Sequence, residues 1–119
     1  QYGIAGRVNQ IYTVDDYIFL DISFTNTTNL KFDLDQLRFK IEDKKITKAT
    51  NVQSIEIEPE YQLFSPESFE KKYRNIYVFK KITFPNSKVL VIELTEAQIS
   101  GRTLYLHLLY SDLLNADTL

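Results

Sequence analysis

The chain contains no cysteine, so it can form neither a disulfide nor a thiolate metal site. It has three glycines and three prolines, too few for extensive linkers or a glycine-rich phosphate cradle. It has one histidine, His107, set between Leu106 and Leu108, and no spacing of carboxylates around it describes a zinc site. No Asp-rich loop with a tight glycine describes a calcium site. No apolar run approaches the length of a membrane-spanning helix, about 18 residues. The 14 basic and 16 acidic residues leave a net charge of -2, without the basic footprint of a nucleic-acid binder or the acidic block of a disordered tail. No cofactor, metal or catalytic residue is expected, and direct contact with nucleic acid is not expected either. The chain opens on Gln1, with no Met and no basic-then-apolar leader, and reads as a mature or excised segment.

What the chain does have is aromatic residues and alternation. Eight Phe and eight Tyr stand in 119 residues, a length suited to one domain with its own core. Residues 4–14 read as a first strand, with Gly6 marking a bulge or a close approach. Asp15-Asp16 reads as a tight turn. In YIFLDISFTN, residues 17–26, Ile18, Leu20, Ile22 and Phe24 share one face. NTTN, residues 26–29, is a turn by composition. It also fits the N-glycosylation pattern, for which the turn is the simpler reading.

Phe32 and Leu34 share one parity, whereas Leu37, Phe39 and Ile41 share the other. A strand cannot change faces without an extra residue, which places a bulge or turn at Asp35-Gln36. Arg38, Lys40 and Glu42 then form the wet side of that strand. Ile55 and Ile57 face inward, Glu56 and Glu58 outward, and Pro59 ends the strand or sets it at an edge. Ser65 as cap and Pro66 as first helical residue, with Phe69 and Tyr73 four apart, give a short helix over 65–73. Residues 75–85 read as a strand or bent pair and 88–96 as a strand, and 95–101 reads as a turn, with one helical turn as its alternative form. Residues 102–111 read as the last strand.

These features describe an all-β protein, an immunoglobulin-like β-sandwich of seven or eight mainly antiparallel strands, with a small barrel as the alternative. The single sandwich domain covers 1–111, and 112–119 is a C-terminal tail or truncated connection. Tyr17, Phe19, Tyr105 and Leu109 fall on outer faces, where aromatics serve a protein partner or stack on a glycan such as peptidoglycan. Glu56 and Glu58 lie about 6.6 Å apart along one strand, a spacing that carboxylate hydrolysis can use but that any wet alternating strand produces.

The order of several pieces resembles the C-terminal domain of the conjugative transposon protein TraN family of Bacteroidetes, from about Val8 to Tyr110. The pieces are Asn26 and Asn29, Phe32-Asp33-Leu34-Asp35, Arg38-Phe39-Lys40-Ile41, Lys44-Lys45, Lys48, Pro59, Phe84-Pro85, Lys88, Glu96 and Gly101-Arg102. The chain departs from that pattern where Ile99-Ser100 and one glycine precede Arg102 in place of a glycine pair. The resemblance implies a scaffolding role, with other proteins of a conjugation apparatus as partners. It also implies a location in the cell envelope, periplasmic and outer-membrane-associated. Asp33 and Asp35 are then expected to flank or cap a turn. Arg38 is expected to pair across the sheet with Glu56 or Glu93. Lys44, Lys45 and Arg102 are expected to stabilise the fold or meet a partner.

Overall fold

The computed structural model describes residues 2–44, 54–98 and 101–118. Two sheets of mainly antiparallel strands face each other across one core, a broadly sandwich-like arrangement. β1 (Ile4–Val14) and β2 (Tyr17–Asn26) form a hairpin over the Asp15-Asp16 turn, where Asp15 adopts a φ of 51°. Asp tolerates that left-handed backbone better than most residues. β3 (Phe32–Asp43) crosses to the other sheet and is followed by β4 (Ile55–Ile57). β5 (Tyr61–Gln62), β6 (Ser68–Phe69) and β7 (Lys72–Lys80) come next, then β8 (Lys88–Glu96) and β9 (Thr103–Leu108). The helix α1 (Tyr110–Leu114) and β10 (Asp117–Thr118) close the described chain. One sheet runs β10-β1-β2-β7-β5. The other runs β4-β3-β8-β9, with β6 paired to the start of β3.

The inner faces follow the parity of the sequence. Ile18, Leu20, Ile22 and Phe24 from β2 meet Phe39 from β3 and Leu90, Ile92 and Leu94 from β8. Phe39 packs edge-on against Tyr77 and Phe79 at 5.0 and 4.7 Å between centroids, a favoured aromatic geometry. Asp35 is the extra residue between Leu34, opposite Glu96, and Gln36, opposite Thr95. The change of parity is therefore a β-bulge. Gly6 is a site of close approach: a Cβ there would lie 2.8 Å from Phe24 and 2.9 Å from Leu104. The bulge of β1 is at Asn9 instead, between Val8 and Gln10.

Several expectations change. Ten strands are described where seven or eight were expected. No helix forms over 65–73, where β6 and the start of β7 lie. A helix of that length has little stability of its own. Phe69 instead pairs with Phe32 of β3, ring centroids 5.3 Å apart, and a bend brings Phe69 and Tyr73 to 5.6 Å. Residues 95 and 96 extend β8 rather than begin a helical turn. β9 ends at Leu108, and the helix lies at Tyr110–Leu114, where Asp112 Oδ2 accepts a hydrogen bond from the Leu109 N–H at 2.7 Å. The stretch expected as a tail packs back: Leu113 is buried, and Asp117 and Thr118 pair in parallel with Tyr12 and Thr13.

Candidate functional site

Gly101 lets the β8–β9 hairpin close tightly, since a Cβ there would stand 2.5 Å from the Glu96 carbonyl oxygen. Arg102 follows and grips Glu96 with two prongs, Nε to Oε1 at 3.0 Å and Nη2 to Oε2 at 2.8 Å. Its Nη1 donates to Thr28 Oγ1 at 3.0 Å and to Asn26 Oδ1 at 3.3 Å, and Nη2 also reaches the Leu30 carbonyl at 3.2 Å. The guanidinium carbon lies 5.1 Å from the centre of the Phe32 ring. The Arg102 hydrogen bond holds the Glu96 carboxyl below the usual carboxylate range, against the opposing effect of burial. Arg102 therefore clasps the β2–β3 turn to the β8–β9 hairpin.

A cleft of about 910 Å³ opens beside this clasp, with Tyr2, Leu30, Lys31, Asp33 and Gln98 on its walls. Lys31 Nζ stands 3.7 Å from Asp33, and Gln98 Nε2 donates to the other Asp33 oxygen at 3.2 Å. Each charged side chain of the cleft thus has a partner inside the fold. Asn26, only 2 % exposed, donates from Nδ2 to the Leu30 and Glu70 carbonyls at 2.7 and 2.9 Å. The nitrogen that a glycan would occupy is enclosed, and the turn reading of NTTN stands.

The second group of sequence candidates lies on the outer face of the β4-β3-β8-β9 sheet. Arg38 Nε stands 3.6 Å from Glu56 Oε1 and also donates to Gln36. Lys40 takes Glu93 at 3.3 Å. The expected cross-strand pairing of Arg38 with Glu56 is therefore present, while Glu93 belongs to Lys40. Glu56 thus faces a guanidinium, and both it and Glu58 are exposed. Thr95 Oγ1 donates to Asp35 at the bulge, at 3.2 Å. Tyr105 and His107 are exposed on the same outer face. Lys44 is exposed at the end of β3, its N–H donating to the Ser87 carbonyl at 3.0 Å; Lys45 lies outside the described residues.

The outer face of the other sheet carries what the sequence reading did not assemble. Asp21, 4 % exposed, is held by Arg74 through Nε at 2.9 Å and Nη2 at 2.6 Å, and by Asn9 Nδ2 at 3.1 Å. The Arg74 hydrogen bond lowers the Asp21 carboxyl, burial opposes it, and Asn9 adds to the lowering. Arg7 and Ser23 both donate to Asn9 Oδ1, at 2.8 and 3.0 Å, so the bulge anchors a polar network. Above that network the same face is largely apolar, with exposed Lys80 opposite Tyr17 at its margin. The pairing puts Tyr12, Phe19, Val78 and Tyr61 in one row across four strands, beside Val14 and Tyr17 on one side and Ile76 and Leu63 on the other. Tyr17, Tyr61 and Leu63 are 40, 57 and 46 % exposed. Phe19, expected exposed, is half-buried because Tyr12 stacks on it at 5.1 Å.

A third polar group is internal. Asn75 Nδ2 donates to the Tyr73 hydroxyl at 2.7 Å, and the Tyr73 and Tyr77 hydroxyls share a hydrogen bond at 2.9 Å. Burial, then the bond to Tyr73, drives the Tyr77 phenol far above its ordinary range. Among the described residues no buried side-chain polar atom lacks a partner. Nor do three His, Cys, Asp or Glu side chains converge there as metal ligands would. No helix among them is long and apolar enough to cross a membrane.

Residues 1–118 match a domain of unknown function, DUF4138, and the chain belongs to that family. This membership corrects the TraN resemblance: the match takes in nearly the whole chain as DUF4138, and it carries no tie to conjugation. The conjugation role and the apparatus partners that the resemblance implied are withdrawn with it. Comparison with curated proteins finds no match.

Proposed function

We propose that this chain is a non-enzymatic interaction module that docks a partner protein on the outer face of the β10-β1-β2-β7-β5 sheet. One observation carries the reading: eight apolar side chains, Tyr12, Val14, Tyr17, Phe19, Tyr61, Leu63, Ile76 and Val78, lie together on that face. Scattered apolar surface residues need no explanation, but contiguous ones beside a polar border resemble an interface core and its rim. The Asp21–Arg74–Asn9 network supplies the border along one side. Edge strands and a covered core fit an immunoglobulin-like sandwich, a scaffold that serves many interaction modules.

The glycan reading draws less support from the same geometry. A sugar stacks on a free ring face. Phe19 and Tyr12 lie nearly parallel, 20° apart in plane, and each covers one face of the other. A protein surface needs only flat apolar area. The test is a Tyr17→Glu/Tyr61→Glu variant, both positions being exposed. It should keep the fold while losing a defined partner that the native chain retains. Retention of that partner by the variant rejects this face as the docking surface.

A further inference from the structure

A sheet edge presents main-chain N–H and C=O groups without partners, and folds blunt such edges with short strands, proline, lysine or bulges. Most edges of this molecule carry one of these. β5 and β10 have two residues each, and β4 has three and runs toward Pro59. Where β10 leaves β1 open, β1 is bulged at Asn9; where β4 leaves β3 open, β3 is bulged at Asp35. The open start of β7 carries Lys72 and Arg74. β9 itself carries none of these devices, and β1 of the other sheet passes close to it at Gly6, against Leu104, without pairing with it. The β9 sequence, Thr103-Leu104-Tyr105-Leu106-His107-Leu108, holds no proline, lysine or glycine, and its pairing with β8 is unbroken. Among the described residues no strand pairs with its outer edge. Leu104 and Leu106 pack toward the core yet remain half-buried, and Tyr105 on the opposite face is 52 % exposed.

β9 is also complementary to itself. In an antiparallel pair, directly opposed residues share a face. A two-fold axis at Leu106 sets Leu104 against Leu108 of a second copy and Leu106 against its own counterpart, all on the core side. The same register sets Tyr105 against His107 twice on the outer side. We propose that β9 pairs with β9 of a second copy of this chain, antiparallel and centred on Leu106, so that two sheets become one continuous sheet. The edge supplies main-chain hydrogen bonds, and the half-buried leucines supply the apolar contact. The contact is small, and small interfaces associate weakly and reversibly. It stands apart from the apolar face of the other sheet, so either can fail without the other.

Sedimentation velocity over a concentration series tests this pairing. The native chain should show a reversible monomer–dimer equilibrium. Tyr105→Lys/His107→Lys should be monomeric, because four cations then collect about the axis. Tyr105→Lys/His107→Glu should dimerise again, because each lysine then faces a glutamate of the other copy. Both pairs of changes fall on exposed positions, and circular dichroism checks that the fold is kept. A native chain that is monomeric at every concentration overturns the proposal. So does a dimer that survives the double-lysine change, or a Lys/Glu variant that stays monomeric.

Discussion

Arg102 directs each of its guanidinium nitrogens to an acceptor within the fold, and its guanidinium carbon lies over the Phe32 ring. Its side chain is 14 % exposed and that of Glu96 9 %. Removing one member of such a pair leaves the other charge buried without a partner. Arg102→Ala is expected to destabilise the chain by about 3 kcal/mol in urea unfolding. Arg102→Lys should recover only part of this, since an ammonium cannot make the two-pronged contact. Asp21 and Glu96 share a pH consequence. Both carboxyls titrate lower in the folded chain than in the unfolded one. Their contribution to stability is therefore present above the unfolded carboxylate values, about 4, and is lost as pH falls through the folded ones. Urea midpoints should decline as pH drops below about 4. Asp21→Asn should be less stable at neutral pH and show a shallower decline with acid. An equal decline in the variant would remove Asp21 from this account. In the sequence, Asp21 is visible only as a polar break in an apolar run. Its partner Arg74 is fixed by the pairing of β2 with β7, which local spacing does not report.

Elements whose burial alternates residue by residue were legible, and those set by tertiary contact were not. β1 and β2 fall at the bounds that parity and the Asp15-Asp16 turn give. The bulge at Asp35 follows from the switch of faces alone. The 65–73 segment carries helix-start residues, but the pairing of Phe69 with Phe32 outweighs that weak local preference. The helix that does form is five residues long, and the sequence pattern there suggests the end of a strand and a tail instead. Its signal is the pair Tyr110 and Leu113, three apart, one half-buried beside Phe84 and the other buried in the core. Leu113→Ala should cost about 2–4 kcal/mol, the range for emptying a buried leucine site. If Tyr110–Leu114 were a loose tail, the variant would unfold at the native urea midpoint. The measurement thus separates an element of the sandwich from an appendage.

At the scale of the whole molecule, the two sheets present different outer surfaces. One is wet, with Arg38–Glu56 and Lys40–Glu93 linking neighbouring strands. The other carries the apolar row from Tyr12 to Tyr61. Composition foretold aromatic-rich strands and the lack of cysteine chemistry. It did not say that the aromatics of four strands would align on one outer face, because that alignment depends on strand order. The central claim is that this face meets a protein. Its most direct test places a photoreactive phenylalanine analogue at Tyr61 or Tyr17 on the apolar face, or at Glu56 on the charged one, in cells that make the protein. Irradiation should join one defined protein to the chain from Tyr61 and Tyr17 and not from Glu56. Adducts that form equally from Glu56, or from none of the three positions, would contradict the account.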